Sequence, residues 1–166
     1  MSVEALVGVL ERLDEEHRTM LNWADEKRKA IIDNQVDKLI GILNQESRCM
    51  KRIGQLDEER MEACQSFLRE RGIKSRLDLN MTEISRLVFD PADKQRLQEI
   101  QTRLSQTLNR LKEANDLNQK LVEQSLSFID YSLDLLVGAP EDETTYHHPV
   151  HKAGGYTRTG FFDARG

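Results

Sequence analysis

Between the Asp90-Pro91 pair and Gly138 the chain contains no glycine and no further proline. Those are the residues that most readily end a helix, so nothing in this stretch stops one. The ends are marked instead. Asp90 is an N-cap residue, Pro91 suits the first helical position, and Asp93 places a negative charge in the first turn. Gly138, with Pro140 just beyond, terminates the run. Within it a seam steps at helical spacing through Leu97, Ile100, Leu104, Leu108, Leu111, Asn115, Asn118, Val122, Ser125, Ile129, Ser132 and Leu136. A helix over 91–137 is about 70 Å long.

The preceding sequence supplies its partners. From Ser2, a plausible N-cap, to Ile32 a second seam passes through Val3, Leu6, Leu10, Leu13, His17, Met20, Ala24, Lys27 and Ile31. His17 reads as a satisfied or edge-exposed seam residue rather than a ligand, and Lys27 as a side chain snorkelling along the seam. Asp33-Asn34-Gln35 interrupts the pattern, as a tight turn or as a kink in one continuous helix, and Asp33 or Asn34 can cap the next helix. A second helix is expected over 36–71. Its stripe drifts and contains Gly54, a place for bending. Gly72, after Arg69-Glu70-Arg71, is its stop signal. In the connector 73–90, Asn80 followed by Glu83 forms a capping box for a short helix through Leu87. Ile84, Leu87, Val88 and Phe89 are expected to close one end of the bundle.

The expected fold is therefore all-α: an elongated antiparallel bundle or coiled coil of three long helices, a short connector helix and a flexible C-terminal tail. Composition agrees, with 32% charged residues, 38% hydrophobic and only 5% aromatic. Residues 1–138 read as the helical domain. Residues 139–166 lose periodicity and read as a disordered tail.

Several functions are disfavoured. A net charge of −5, with both signs interspersed, gives no nucleic-acid footprint. No run of 18 apolar residues suggests a membrane span, and the N-terminus has no signal-peptide pattern, so a cytoplasmic protein is expected. Cys49 and Cys64 share one predicted helix, roughly 22 Å apart, too far for a disulfide. No phosphate loop, HExxH or nucleophile elbow occurs, so neither catalysis nor a cofactor is expected. His147, His148 and His151 form an HHxxH cluster whose expected metal binding is weak and adventitious.

Three features go beyond a plain bundle. Asn115 and Asn118 are polar members of the third long helix's seam, where a buried amide fixes register or loosens packing. From Leu121 to Val137 ten of seventeen residues are apolar, more than one seam requires. Leu126, Leu133 and Val137 share one side, while Phe128, Tyr131 and Leu135 spread onto another. Such a surface is usually a partner site. Finally, the tail holds Tyr146, Tyr156, Phe161 and Phe162, aromatic anchors for a short motif that orders on binding.

The segment Leu111-Lys112-Glu113-Ala114-Asn115-Asp116-Leu117-Asn118-Gln119-Lys120-Leu121-Val122 and the continuation Ser125 to Leu133 resemble the FlgN-like flagellar export chaperones, as does the order of helices, connector and tail. The resemblance implies a chaperone that binds hook-filament junction (hook-associated) proteins, prevents their premature assembly and delivers them to the flagellar type III export gate. It implies that Leu117, Leu121, Leu126, Phe128, Tyr131, Leu133 and Leu135 hold the client's C-terminal amphipathic helix. It places Tyr146 at the gate contact. This chain has His147-His148-Pro149 where the family often has glycine, so Tyr156 is the substitute. The export ATPase and a second copy of the chain are further expected partners. The competing reading is a structural coiled-coil adaptor or oligomerisation module unrelated to flagella.

Overall fold

The computed structural model describes residues 2–74 and 79–138. Among them are four helices and no strand: α1 (Ser2–Ile32), α2 (Val36–Glu70), α3 (Met81–Arg86) and α4 (Pro91–Val137). The chain separates into two compact units, one ending at Ser125 and one beginning at Leu126. The tail positions singled out in the sequence, Tyr146, Tyr156, Phe161, Phe162 and the His147/His148/His151 cluster, lie outside the described residues.

Local chemistry sets the helix ends. Ser2 is already helical rather than the cap of α1. Residues 33–35 form a turn, not a kink. Asn34 adopts φ +53°, and its N–H donates to the Ile31 carbonyl at 3.2 Å while that of Gln35 donates to Ala30 at 2.9 Å. This is a Schellman stop with asparagine, the residue after glycine best suited to the left-handed region. Neither Asp33 nor Asn34 caps α2. Its N-cap is Gln35, which makes no side-chain capping bond. The same stop recurs after α2, where Gly72 takes φ +73° and Ile73 N–H reaches the Leu68 carbonyl at 3.0 Å. α3 starts on a full capping box: Glu83 N–H donates to Asn80 Oδ1 at 2.9 Å and Asn80 N–H to Glu83 Oε2 at 2.8 Å. Asp90 Oδ2 accepts from Asp93 N–H at 3.0 Å, capping α4 as expected.

The short turn makes α1 and α2 an antiparallel hairpin, laced by Arg12–Glu59 (2.7 Å), Arg52–Glu16 (3.0 Å) and Lys27–Glu46 (2.8 Å). Lys27 thus has a specific carboxylate partner instead of lying free along the seam. Within the first unit α4 runs parallel to α1, because Asp14 meets Thr107 and Ala24 meets Asn118. It stands further from both hairpin helices than they stand from each other.

The core gathers where α3 closes the first unit. Leu6, Leu10, Leu13, Phe67, Leu68, Ile84, Val88, Leu97 and Ile100 are buried together. Phe89 is not part of it: the ring is 80% exposed. Arg71 instead bridges the rings of Phe67 and Phe89, its guanidinium 5.0 and 5.1 Å from the two centroids, a cation–π contact at the rim.

One buried polar node joins α1 to α4. Asp14 is buried. Its Oδ1 accepts from the Thr107 hydroxyl at 2.7 Å, and its Oδ2 pairs with Arg18 at 3.0 Å and Arg103 at 3.2 Å. A buried carboxylate is tolerable when hydrogen-bonded and charge-compensated in this way. Thr107 therefore occupies the inward position that the sequence reading assigned to Leu108, which is exposed.

Candidate partner-binding surfaces

Packing on α4 thins out along its length. Leu97, Ile100, Thr107 and Asn118 are its buried residues; beyond Asn118 none is buried. The expected seam fails there: Val122, Ser125, Ile129 and Leu136 are exposed. The spacing says which side of a helix its apolar residues share, but not whether anything faces them. The asparagine pair also divides. Asn118 is buried, its Nδ2 donating to the Ala24 carbonyl of α1 at 2.8 Å, and its Oδ1 has no partner among the described residues. Asn115 is exposed.

In the first unit this thinning leaves an apolar groove of about 770 Å³ between the hairpin and α4. Met20, Ile31, Leu39, Leu43, Met50 and Val122 line it. The Lys27–Glu46 pair, His17, Asn115, Asn118, Gln119 and Glu123 are its polar members. His17 Nδ1 donates to the Leu13 carbonyl at 2.6 Å, so its ring is held by its own helix. Sequence reasoning missed this groove. The signal was present in α2, where Leu39, Leu43 and Met50 lie to one side of the row Ile42, Cys49 and Leu56 that buries against α1.

Cys49 sits at the floor of the hairpin, its thiol donating toward Glu16 Oε2 at 3.2 Å. Burial, then the Glu16 hydrogen bond and charge, push this thiol up to about 11. Burial likewise raises Cys64. Both are free thiols and neither is a nucleophile at neutral pH.

The expected client-binding residues fall in two places. Leu117 is exposed and Leu121 half-buried, both in the first unit and neither in the groove. Leu126, Phe128, Tyr131, Leu133 and Leu135 belong to the second unit and are all exposed. Phe128 is 69% exposed, and the neighbouring Leu136 and Val137 are 84% and 80%. Phe128, Tyr131 and Leu135, at spacings of three and four, share one side of the helix, and Leu126, Leu133 and Val137 another. Only Asp130 and Asp134, one turn apart, interrupt the apolar circumference with charge. Ser132 does little to break it, since its hydroxyl donates to the Phe128 carbonyl at 2.8 Å. Bare apolar surface on three helical turns is the signature of a partner site. No described helix is long and apolar enough to cross a membrane.

The sequence matches the family described as FlgN protein over residues 1–150. It is 29% identical over 137 residues, 82% of each chain, to a Bacillus subtilis (strain 168) protein whose name is "Uncharacterized protein YvyG". No solved structure matches it. With nine-tenths of its length matched and only helices among the described residues, the chain belongs to the FlgN family of flagellar export chaperones.

Proposed function

We propose that this protein is a cytosolic export chaperone that holds the C-terminal amphipathic helix of a hook-filament junction protein and delivers that client to the flagellar type III export gate. The observation that carries the reading is the bare apolar end of α4, with Leu126, Phe128, Tyr131, Leu133 and Leu135 exposed. A client assembly helix is amphipathic, and left free it polymerises or aggregates. Burying its apolar face against these side chains masks it until export. Leu117 and Leu121 extend the client contact in this reading. Residues 1–138 act as the helical domain and 139–166 as a tail whose Tyr146, or Tyr156, meets the gate protein. The export ATPase is a further partner. No step requires a cofactor or bond-making chemistry.

The test is a pulldown from a flagellated bacterium with the protein as bait. Hook-associated proteins should be recovered. Phe128→Asp should weaken the client interaction, whereas Tyr146→Ala should spare it and impair export. Recovery of no junction protein, together with normal filament assembly in a deletion strain, contradicts the reading.

A further inference from the structure

A cleft of about 350 Å³ lies between α1 and α4 in the first unit. Arg18, Arg103 and Arg110 stand on its walls with the amides of Asn22 and Gln106, and no acid does. Helical spacing gathers them: Arg18 and Asn22 are four apart on α1, and Arg103, Gln106 and Arg110 follow at three and four on α4. The register fixed by the Asp14–Thr107 and Asn118–Ala24 bonds brings Arg110 to the level of Arg18. Compensation comes from Asp14 alone. Arg18 and Arg103 both reach its Oδ2 through Nε, at 3.0 and 3.2 Å, while its Oδ1 is taken by the Thr107 hydroxyl. Arg110 takes part in no ion pair among the described residues. Other acids along the same stripes are engaged elsewhere or stand off: Asp25 pairs with Arg28, Glu99 accepts from the Gln95 amide, and Glu113 forms no ion pair among the described residues. The cleft between α1 and α2 is the opposite case, where Arg12 and Arg52 share the walls with Glu15, Glu16 and Glu59.

We propose that the arginine cleft binds a phosphate group, carried by its ligand as a dianion. Three positive charges share one carboxylate, so the site has room for two negative charges. Arg18 and Arg103 converge on a single oxygen, so those charges are needed at one point. A phosphate monoester concentrates close to two charges and three acceptor oxygens on one phosphorus. A carboxylate brings one charge, and two carboxylates require two side chains held at separate points. Each guanidinium keeps further N–H groups beyond the Nε used on Asp14, in a fork that fits phosphate oxygens. The client reading uses none of these residues, so the two stand or fall separately.

The experiment is a titration of the full chain with inorganic phosphate at constant ionic strength, following the arginine Nε–Hε signals by NMR. Saturable shifts are expected at Arg18, Arg103 and Arg110. Arg110→Gln should weaken binding by about tenfold or more, with an unchanged melting midpoint because Arg110 holds no ion pair in the fold. Arg48→Gln removes the same charge from an exposed position on α2 and should leave the affinity as in wild type. Adenosine monophosphate and a phosphoserine peptide then separate a nucleotide from a phosphorylated protein, the source being the one that gains affinity over inorganic phosphate. Shifts that never saturate, an Arg110→Gln affinity equal to wild type, or equal losses in Arg110→Gln and Arg48→Gln would overturn the proposal. So would tighter binding of malonate than of phosphate, which would assign the cleft to an acidic peptide.

Discussion

Asn118 of α4 donates through its Nδ2 to the Ala24 carbonyl of α1 at 2.8 Å, yet its own Oδ1 is buried with no partner among the described residues. This is the last buried contact along α4. One made bond and one orphaned acceptor nearly cancel, so the contact sets position more than it stabilises. Asn118→Leu removes the orphan and adds apolar contact beside Met20. It should stabilise the protein by about 1 kcal/mol, raising the melting midpoint by roughly 2–4 °C in a differential scanning calorimetry trace. A drop of similar size would show that the amide is worth more than its hydrogen bonds suggest.

Asp14 is the opposite case, a buried acid with every partner in place. Asp14→Ala removes the Thr107 hydrogen bond and leaves Arg18 and Arg103 unpaired, though both arginines are about half exposed and rehydrate. The expected cost is about 2–3 kcal/mol in urea unfolding. Thr107→Val should cost less, since both arginines still compensate the carboxylate. In a double-mutant cycle the two changes should couple by about 0.5 kcal/mol or more.

Alkaline pH should act through Cys49. Its thiol ionises at about 11 in the folded chain against an ordinary value of 9.0, because the site is buried and Glu16 accepts from the protonated form. The unfolded chain therefore loses this proton first. The contribution is fully present below pH 9.0 and is lost as pH rises toward about 11, on the order of 3 kcal/mol in all. Cys49→Ala should flatten that part of the stability–pH curve. A variant curve parallel to wild type between those limits would remove the assignment.

Much of the fold was legible because its punctuation is local. Asp90-Pro91, Gly138, Gly72 and the Asn80–Glu83 box each fix a helix end through chemistry within four residues. The turn at Asn34 was ambiguous for the same reason: asparagine accepts either a left-handed stop or a helical continuation, and only the antiparallel pairing of α1 with α2 decides. Packing across distant segments was harder to read. Asp14 lies beside Leu13 of the seam, but two of its three partners, Arg103 and Thr107, sit some ninety positions away on α4, so a charged residue next to a core stripe looked like surface. The seam of α4 was extended past Asn118 because periodicity reports a shared side and not a facing helix. The apolar excess at 121–137 was visible as composition alone. The groove was not, because it arises from the distance at which α4 stands from the hairpin.

The functional reading rests on the exposed turns at the end of α4 binding the client's amphipathic helix. Isothermal titration of a hook-associated protein's C-terminal helix into wild type and into Phe128→Asp tests it directly. Phe128 is mostly solvent-exposed, so the variant should keep its fold and its melting midpoint. Measurable binding to wild type is expected, with a loss of affinity of tenfold or more, about 1.4 kcal/mol, in the variant. Equal affinity for the two proteins, or no binding to the correctly folded wild type, would contradict it.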